Sequence, residues 1–344
     1  MTEHRTFARL REVLLDCGLE HGEVVAVLSE STSRRAIVDA ARLAATDLGG
    51  QVFDVVVPTP ANPGPVALRS TGASVALTDQ PGAVAALAAS DLVIDCTVEG
   101  LIHAPELPAI LGADARVLMI GNEDPEAFDR FAVDPALRRR VELGLERLRG
   151  AAEMRVTSAH GTDLRVQLAG AFTGCSWGAT SGPGTFAHYP GGLVVAFPGA
   201  ETVDGTVVLA PGDINLTFKT YLQSEVRLVL ERDRVVAIEG DGLDAELLRS
   251  YLLAFEEEEA YAVSHVGWGM HKGARWDALA MVDRHETNGL EARVFAGNFL
   301  FSTGANENAG RFTRGHFDFP MRHCSIALDG DLVVDEGHLL GELA

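Results

Sequence analysis

The sequence predicts an α/β protein in which an N-terminal parallel-sheet α/β domain is followed by a mostly β α+β domain. In residues 1–150, short apolar runs alternate with segments of helical periodicity. That order is typical of a parallel sheet covered by helices on both faces. In residues 151–344, alternating runs separated by glycine-containing turns dominate. We therefore expect a scaffold domain over residues 1–150 and an α+β domain that carries the chemistry over residues 151–344.

The first half can be read element by element. FARLREVLLDCGL has helical spacing, and EVVAVLSE is a short apolar run typical of a buried strand. SRRAIVDAARLAATDLGG predicts a helix closed by glycine. Further strands are predicted at QVFDVVVP, DLVIDCT and ARVLMIG, and a helix at PALRRRVELGLERLRGA. The segment after the first strand is SESTSRR, and neither G-x-G-x-x-G there nor G-x-x-x-x-G-K-[ST] anywhere is found, so we do not expect a nucleotide site.

The second half is predicted to be mostly strands. MRVTSAHGTDLRVQL reads as a hairpin, because two alternating runs flank a glycine-containing turn. More strands are predicted at GGLVVAFP, GTVVLAP, EVRLVLERDRVVAIEGDG and CSIALDGDLVVDEG. One helix is predicted at DAELLRSYLLAFEEE, and its glutamates are expected to face solvent.

Composition limits the possible partners and the compartment. The 344 residues carry a net charge of −21, which makes nucleic acid and anionic membranes poor partners. No apolar run approaches the roughly 18 residues of a membrane span. The N-terminal MTEHRTFARLREVLL is charged where a signal peptide would be apolar. A reduced, cytoplasmic protein is also indicated by four scattered cysteines without a C-x-x-C pair, at Cys17, Cys96, Cys175 and Cys324.

The stretch RGHFDFPMRH near the end of the chain contains the most informative polar pair. On a strand, His316 and Asp318 would share one face, with Cα atoms roughly 6.5 Å apart. Both side chains could then reach one metal ion at about 2.0–2.2 Å. A carboxylate between two phenylalanines needs a partner when it is buried. That partner could be a metal ion, or a hydrogen-bond network that does no chemistry.

A third ligand from elsewhere would complete a site of two histidines and one carboxylate. This set leaves coordination positions open for substrate and dioxygen, and it is typical of non-haem Fe(II) oxygenases. Other polar candidates lie in GPGTFAHYPGG, AVSHVGWGMHKGARWD and EARVFAGNFLFSTGAN. His271 and His323 are expected at the surface.

Four stretches together carry a resemblance to a known family. HVGWGMH, GNFLFSTGAN and RGHFDFPM, with PGTFAHYPGG upstream, resemble the 2,5-dihydroxypyridine 5,6-dioxygenase family, which is related to the aminopeptidase T metallopeptidases. The resemblance spans most of the chain and is strongest from about residue 183 to residue 320. It implies a mononuclear Fe(II) site whose ligands are His265, His316 and Asp318. It also implies an acid/base role for His103 in VEGLIHAPEL, a catalytic, substrate-contacting role for His188, and substrate-pocket roles for Arg293 and Ser302.

The same stretches depart from the related peptidases. Those enzymes resemble two-metal hydrolases with two glutamate ligands, where this chain has Gly192 and Leu193 at the first position and His265 at the second. The strand GNFLFS also lacks the histidine that the peptidases carry. Because two-metal hydrolysis needs both ions, these losses count against a peptidase. One departure from the dioxygenases is Gly182, where family members often carry an acidic residue. The resemblance therefore does not specify the shape of the substrate pocket.

The resemblance therefore implies a ring-cleaving, Fe(II)-dependent dioxygenase. The expected substrates are O₂ and a hydroxylated N-heteroaromatic, with 2,5-dihydroxypyridine and its product N-formylmaleamic acid as the leading pair. A homo-oligomer is expected, in which His103 could arrive from a neighbouring subunit. Two alternatives stay open: a metal-dependent hydrolase that uses the same three ligands with zinc, and a non-catalytic binding protein on the same fold.

Overall fold

The computed structural model describes residues 2–61, 74–131, 134–284 and 286–344. Helices and strands alternate in the first half, as the sequence predicts. They lie at α1 (Thr2–Asp16), β1 (Val24–Glu30), α2 (Arg35–Asp47), β2 (Gln51–Val57), α3 (Pro81–Ala88), β3 (Leu92–Cys96), α4 (Leu107–Leu111), β4 (Arg116–Ile120) and α5 (Pro135–Gly150).

Strands dominate the second half, and the predicted hairpin and helix are both present. The elements are β5 (Glu153–Ser158), β6 (Asp163–Gln167), β7 (Phe172–Ser176), β8 (Phe186–Tyr189), β9 (Leu193–Phe197), β10 (Val203–Leu209), β11 (Ile214–Asn215), β12 (Thr220–Tyr221), β13 (Val226–Glu231), β14 (Arg234–Glu239), α6 (Leu243–Ala254), β15 (Val263–Gly269), α7 (Leu290–Val294), β16 (Phe299–Asn306), β17 (Arg311–Met321), β18 (Cys324–Leu328), β19 (Asp331–Asp335) and β20 (His338–Leu339). Among the described residues, no helix is both long enough and apolar enough to cross a membrane.

The first half forms a parallel sheet with strand order β2-β1-β3-β4-β8. β3 and β4 are buried along their whole length, as expected for central strands covered on both faces. The fifth strand, β8, comes from the second half of the sequence and pairs with β4, with Met119 opposite His188. Residues on both sides of position 150 therefore share one sheet, and His188 lies at its carboxyl edge.

The second half forms two large antiparallel sheets around a common apolar core, and β11 and β12 form a separate two-stranded sheet. Their strand orders are β14-β13-β10-β6-β5-β18-β19-β20 and β17-β16-β15-β9-β7. In the smaller sheet, β17 pairs with β16 so that Asp318 is directly opposite Ser302. Phe317 and Phe319 alternate with His316 and Asp318 along β17, and both rings belong to the core cluster. The predicted fold class, α/β with a mostly antiparallel second part, is therefore confirmed.

Candidate metal centre

The predicted ligands lie on β17 and β15, the two strands that flank β16 in the smaller antiparallel sheet. Successive residues of a strand point to opposite faces, so the phenylalanines of β17 enter the core while His316 and Asp318 face the other way. Oδ1 of Asp318 lies 3.3 Å from Nε2 of His316 and 3.5 Å from Nε2 of His265 on β15. All three residues are buried. The structure thus places two imidazole nitrogens and one carboxylate oxygen around a common point.

His103 reaches the same place from the first half of the chain. It lies in the loop after β3, and its ring centroid is 4.9 Å from that of His316. Candidate ligand atoms of His103, His265 and His316 all lie within 4.8 Å of one another. Nδ1 of His103 is 3.6 Å from Oε1 of Glu307, and the histidine side chain is only 5% exposed. The chain's own His103 is therefore at the site, and the geometry needs no neighbouring subunit to supply it.

Asp318 is held in its ionised form. Its Oδ2 accepts a hydrogen bond of 2.6 Å from Nε of Arg293, and its Oδ1 accepts one from the hydroxyl of Ser302. Burial alone would raise the pKa of Asp318, but the Arg293 guanidinium and the two histidines hold that pKa well below its usual range. Arg293 and Ser302, predicted as pocket residues, thus both donate hydrogen bonds to the carboxylate of Asp318.

The two histidines beside Asp318 are neutral. Burial lowers the pKa of His265 to about 3, and it also lowers the pKa of His316. Neutral imidazoles and an ionised carboxylate are the protonation states in which these groups bind metals. Nδ1 of both rings is buried without a hydrogen-bond partner among the described residues, so the protein's own hydrogen bonds leave each ring only partly satisfied. The donor set therefore fits a divalent metal ion of the kind bound by two histidines and one carboxylate.

Arg293 is positioned by a buried glutamate that sequence reasoning missed. Glu123, in the loop after β4, accepts hydrogen bonds from the hydroxyl of Thr287 and from the backbone N–H of Leu290. Leu290 begins α7, the short helix that carries Arg293. Glu123 thus ties α7 to the carboxyl edge of the parallel sheet. Its sequence signal is a charged residue placed shortly after the buried strand ARVLMIG.

His188 lies at the end of β8 with a defined tautomer. Its Nδ1 is 2.8 Å from the carbonyl oxygen of Pro190. Because a carbonyl oxygen only accepts, Nδ1 carries the proton and Nε2 has a free lone pair. Burial, with a smaller contribution from the positive charge of Arg293, lowers the pKa of His188 to about 4. His188 is therefore a neutral hydrogen-bond acceptor whose pKa is affected by the charge of Arg293 at the candidate metal centre.

An aromatic side chain adjoins the histidines. The ring centroid of Phe197, at the end of β9, is 5.2 Å from that of His265 and 6.4 Å from that of His103. Phe172 packs against Phe197 at 6.0 Å and is 54% exposed. Phe197 therefore contacts both the exposed Phe172 and the two histidines. Sequence reasoning missed both phenylalanines, because each occupies an ordinary apolar position of a strand.

Of the two histidines expected at the surface, one is buried. His323 is exposed, as predicted, whereas His271 is only 5% exposed. Nδ1 of His271 accepts hydrogen bonds from the backbone N–H groups of Gly273 and Ala274, at 3.0 and 3.1 Å. The ring of His271 thus satisfies two backbone N–H groups that water would otherwise satisfy. It is buried for this reason, and the surface prediction was wrong. His271 lies outside the group of metal-ligand candidates.

Comparisons with known proteins point to one family. A family model described as 2,5-dihydroxypyridine 5,6-dioxygenase matches residues 5–341. The 2,5-dihydroxypyridine 5,6-dioxygenase of Pseudomonas putida KT2440 is 36% identical over 326 residues, which cover 94% of this chain and 92% of that protein.

Solved structures show the same relationship in three dimensions. The structure of 2,5-dihydroxypyridine dioxygenase from Pseudomonas putida KT2440 matches with a TM-score of 0.94 and 34% identity, covering 100% of both chains. Wild-type AmpT from Thermus thermophilus matches with a TM-score of 0.64 over 98% of this chain and 100% of its own, at 15% identity, which shows a shared fold. By sequence and by structure, this chain belongs to the 2,5-dihydroxypyridine 5,6-dioxygenase family.

Proposed function

We propose that this protein is a non-haem Fe(II)-dependent dioxygenase that opens the ring of a hydroxylated N-heteroaromatic. The proposed reaction is 2,5-dihydroxypyridine plus O₂ giving N-formylmaleamic acid, with cleavage of the C5–C6 bond. Membership of the family supports the reaction class. The observation that carries the proposal is the approach of Nε2 of His265 and of His316 to one oxygen of Asp318 in a buried site.

The proposed metal ligands are His265, His316 and Asp318. Two neutral imidazoles and one carboxylate would leave a divalent ion with about one positive charge, which favours an anionic substrate oxygen. Ferrous iron, when bound, supplies the electron transfer between the ring and dioxygen and offers open positions to both. Arg293 and Ser302 keep the carboxylate oriented, because each donates to one of its oxygens.

His103 is the proposed acid/base. Its ring lies against His316 at the edge of the cluster, and its Nδ1 faces Glu307. From this place it can take the proton of a substrate hydroxyl and return it to the product. His188 is the proposed substrate-contacting catalytic residue, because its free Nε2 can accept a hydrogen bond from a ring O–H or N–H. Phe197 supplies the apolar wall that a planar ring requires.

Oxygen uptake tests this function directly. The protein would be loaded anaerobically with one Fe(II) per chain, mixed with 2,5-dihydroxypyridine, and exposed to air in an oxygen electrode. We expect one O₂ consumed per ring lost, and no consumption by His316→Ala. If iron-loaded protein consumes no O₂ with this substrate, the substrate assignment is wrong. Other hydroxylated N-heteroaromatics would then be screened on the same preparation.

A second function is favoured by one observation, the close approach of three imidazoles. His103, His265 and His316 offer ligand atoms within 4.8 Å of one another, and three histidines are also a catalytic zinc set. A zinc enzyme of this kind would hydrolyse a peptide or a cyclic amide with an activated water. Zinc-loaded protein would then turn over such amides in air-free buffer, whereas the dioxygenase proposal expects no turnover there.

We also propose that the protein is a cytoplasmic homo-oligomer without nucleic-acid or membrane partners. The four cysteines are free thiols, which suits a reducing compartment. Several large apolar side chains are well exposed on the single chain, namely Leu243, Leu253 and Phe312. Burial of such side chains between copies would remove apolar surface from water. Light scattering that gives the mass of one chain at micromolar concentration would exclude the oligomer.

A further inference from the structure

Asp95 is a further buried carboxylate in the first half of the chain, outside the metal cluster. Asp95, near the end of β3, is 0% exposed. Its Oδ1 accepts hydrogen bonds from the backbone N–H of Thr97 at 2.9 Å and from the hydroxyl of Thr97 at 2.6 Å. Its Oδ2 accepts one from the backbone N–H of Leu101 at 2.9 Å. Both oxygens are therefore engaged by a single loop, the segment 97–101.

The same loop is fixed at further points. Oε1 of Glu30 accepts a hydrogen bond from the backbone N–H of Val98 at 3.1 Å. The hydroxyl oxygen of Thr97 accepts one from the N–H of Gly100, also at 3.1 Å. Leu101 is completely buried in the core beside the parallel sheet. The backbone N–H groups of Thr97, Val98, Gly100 and Leu101 therefore each donate to a named side-chain acceptor, up to two residues before His103.

We propose that Asp95 is a positioning residue that sets the place of His103 beside the metal centre. The proposal rests on the acid/base role given to His103 above. Its physical basis is that burial of a carboxylate is unfavourable unless hydrogen bonds compensate, and here the compensating donors all belong to the loop that carries His103. Displacement of a catalytic group by about 1 Å can lower a rate by roughly 100-fold.

The test is a double-mutant cycle on the iron-loaded protein. Asp95→Asn keeps the volume but turns one acceptor oxygen into a donor, so either Thr97 or Leu101 loses its partner. We expect kcat to fall about 10- to 100-fold, with KM within about threefold and one iron still bound per chain. In a His103→Ala background, where residual turnover is followed by product formation, Asp95→Asn should cause no further fall.

Two additional variants separate positioning from folding. Thr97→Val removes only the hydroxyl that contacts Asp95 and keeps the backbone donors, so we expect kcat to fall about threefold to tenfold and the melting temperature to fall by only a few degrees. Asp244→Asn is the matched control, because Asp244 also accepts from two backbone N–H groups and one hydroxyl, those of Gln223 and Ser224. It lies in the first turn of α6, and its loss should leave kcat unchanged.

Three results would overturn the inference. The first is a fall in kcat that persists in full in the His103→Ala background. The second is a lower melting temperature in Asp95→Asn and Thr97→Val without any change in kcat. The third is full activity of His103→Ala alone, which would reject the acid/base role itself and remove the basis of the inference. Only the third result also contradicts the proposed role of His103, so the two failures are distinguishable.

Discussion

Nε of Arg293 donates a hydrogen bond of 2.6 Å to Oδ2 of Asp318, while Oδ1 of the same carboxylate faces the two histidines. One oxygen is therefore committed to the arginine and the other is turned toward the proposed metal position. The arginine also keeps Asp318 ionised, since its charge lowers the pKa of that carboxyl. Arg293 is thus part of the proposed metal centre together with the three proposed ligands.

Replacement of this arginine should weaken metal binding. In Arg293→Gln the pKa of Asp318 rises, because the largest favourable charge is lost. Protons then compete with the metal, and we expect Fe(II) affinity to fall about 10- to 100-fold, more at pH 6 than at pH 8. In the unmodified protein the affinity should change little between these pH values. Anaerobic titration calorimetry at both pH values measures this.

Arg130→Gln is the control for that variant. Arg130 pairs with Glu291 of the same short helix at 2.6 Å, so its loss also removes an ion pair from α7. It makes no contact with Asp318 in the described structure. If both variants weaken Fe(II) binding equally, the effect belongs to helix α7 as a whole and the specific role of Arg293 is wrong.

Phe197 should contribute to substrate binding. Phe197→Ala removes the ring that lies beside His265 and His103, so the apolar wall for a planar substrate is lost. We expect KM to rise about tenfold with kcat within about threefold, the pattern of lost uniform binding. Phe172→Ala, which touches Phe197 but is 54% exposed, should change KM by less than about threefold. Steady-state kinetics with equal KM in all three proteins would exclude this wall.

His271 should make stability depend on pH without any part in catalysis. Burial lowers its pKa to about 4 in the folded protein, against about 6.5 when unfolded. The unfolded chain therefore binds more protons between these values, so the free energy of unfolding rises with pH through this window. For this residue alone, the loss on going from pH 7.5 to pH 5 is about 2 kcal/mol.

Urea denaturation of the metal-free protein at pH 5 and pH 7.5 checks that expectation. His271→Gln should lose less stability between the two pH values than the parent, although His188 and His265 still contribute in the same direction. His323→Gln, at an exposed position, should behave like the parent. An unchanged pH dependence in His271→Gln would show that the neutral ring is not required for the fold.

Local patterns predicted the fold and part of the site. The alternation in HFDF placed His316 and Asp318 on one strand face, because that relation depends only on the two-residue period of a strand. The pairing of Ser302 with Asp318 could not be predicted in the same way, since it depends on the register of β16 against β17. The resemblance named Ser302 as a pocket residue, and the structure adds that it holds a proposed ligand.

Long-range placements were the least accessible. The pairing of β8 with β4 joins residues far apart in sequence, so no local pattern predicts that His188 enters the parallel sheet. Asp95 and Glu123 did leave a signal, a carboxylate within or just after a buried apolar strand, where a charge needs partners. His271 left none, because the two backbone N–H groups that donate to its ring lie within one turn whose shape the sequence does not specify.

Oxygen-18 labelling tests the central claim most directly. Iron-loaded protein would convert 2,5-dihydroxypyridine under oxygen-18 gas in ordinary water, and the product would be analysed at once by mass spectrometry. A dioxygenase places both atoms of O₂ in the product, so we predict N-formylmaleamic acid that is about four mass units heavier than the unlabelled compound, with Asp318→Ala inactive. A product whose new oxygen comes only from water would contradict the account and favour the hydrolytic alternative.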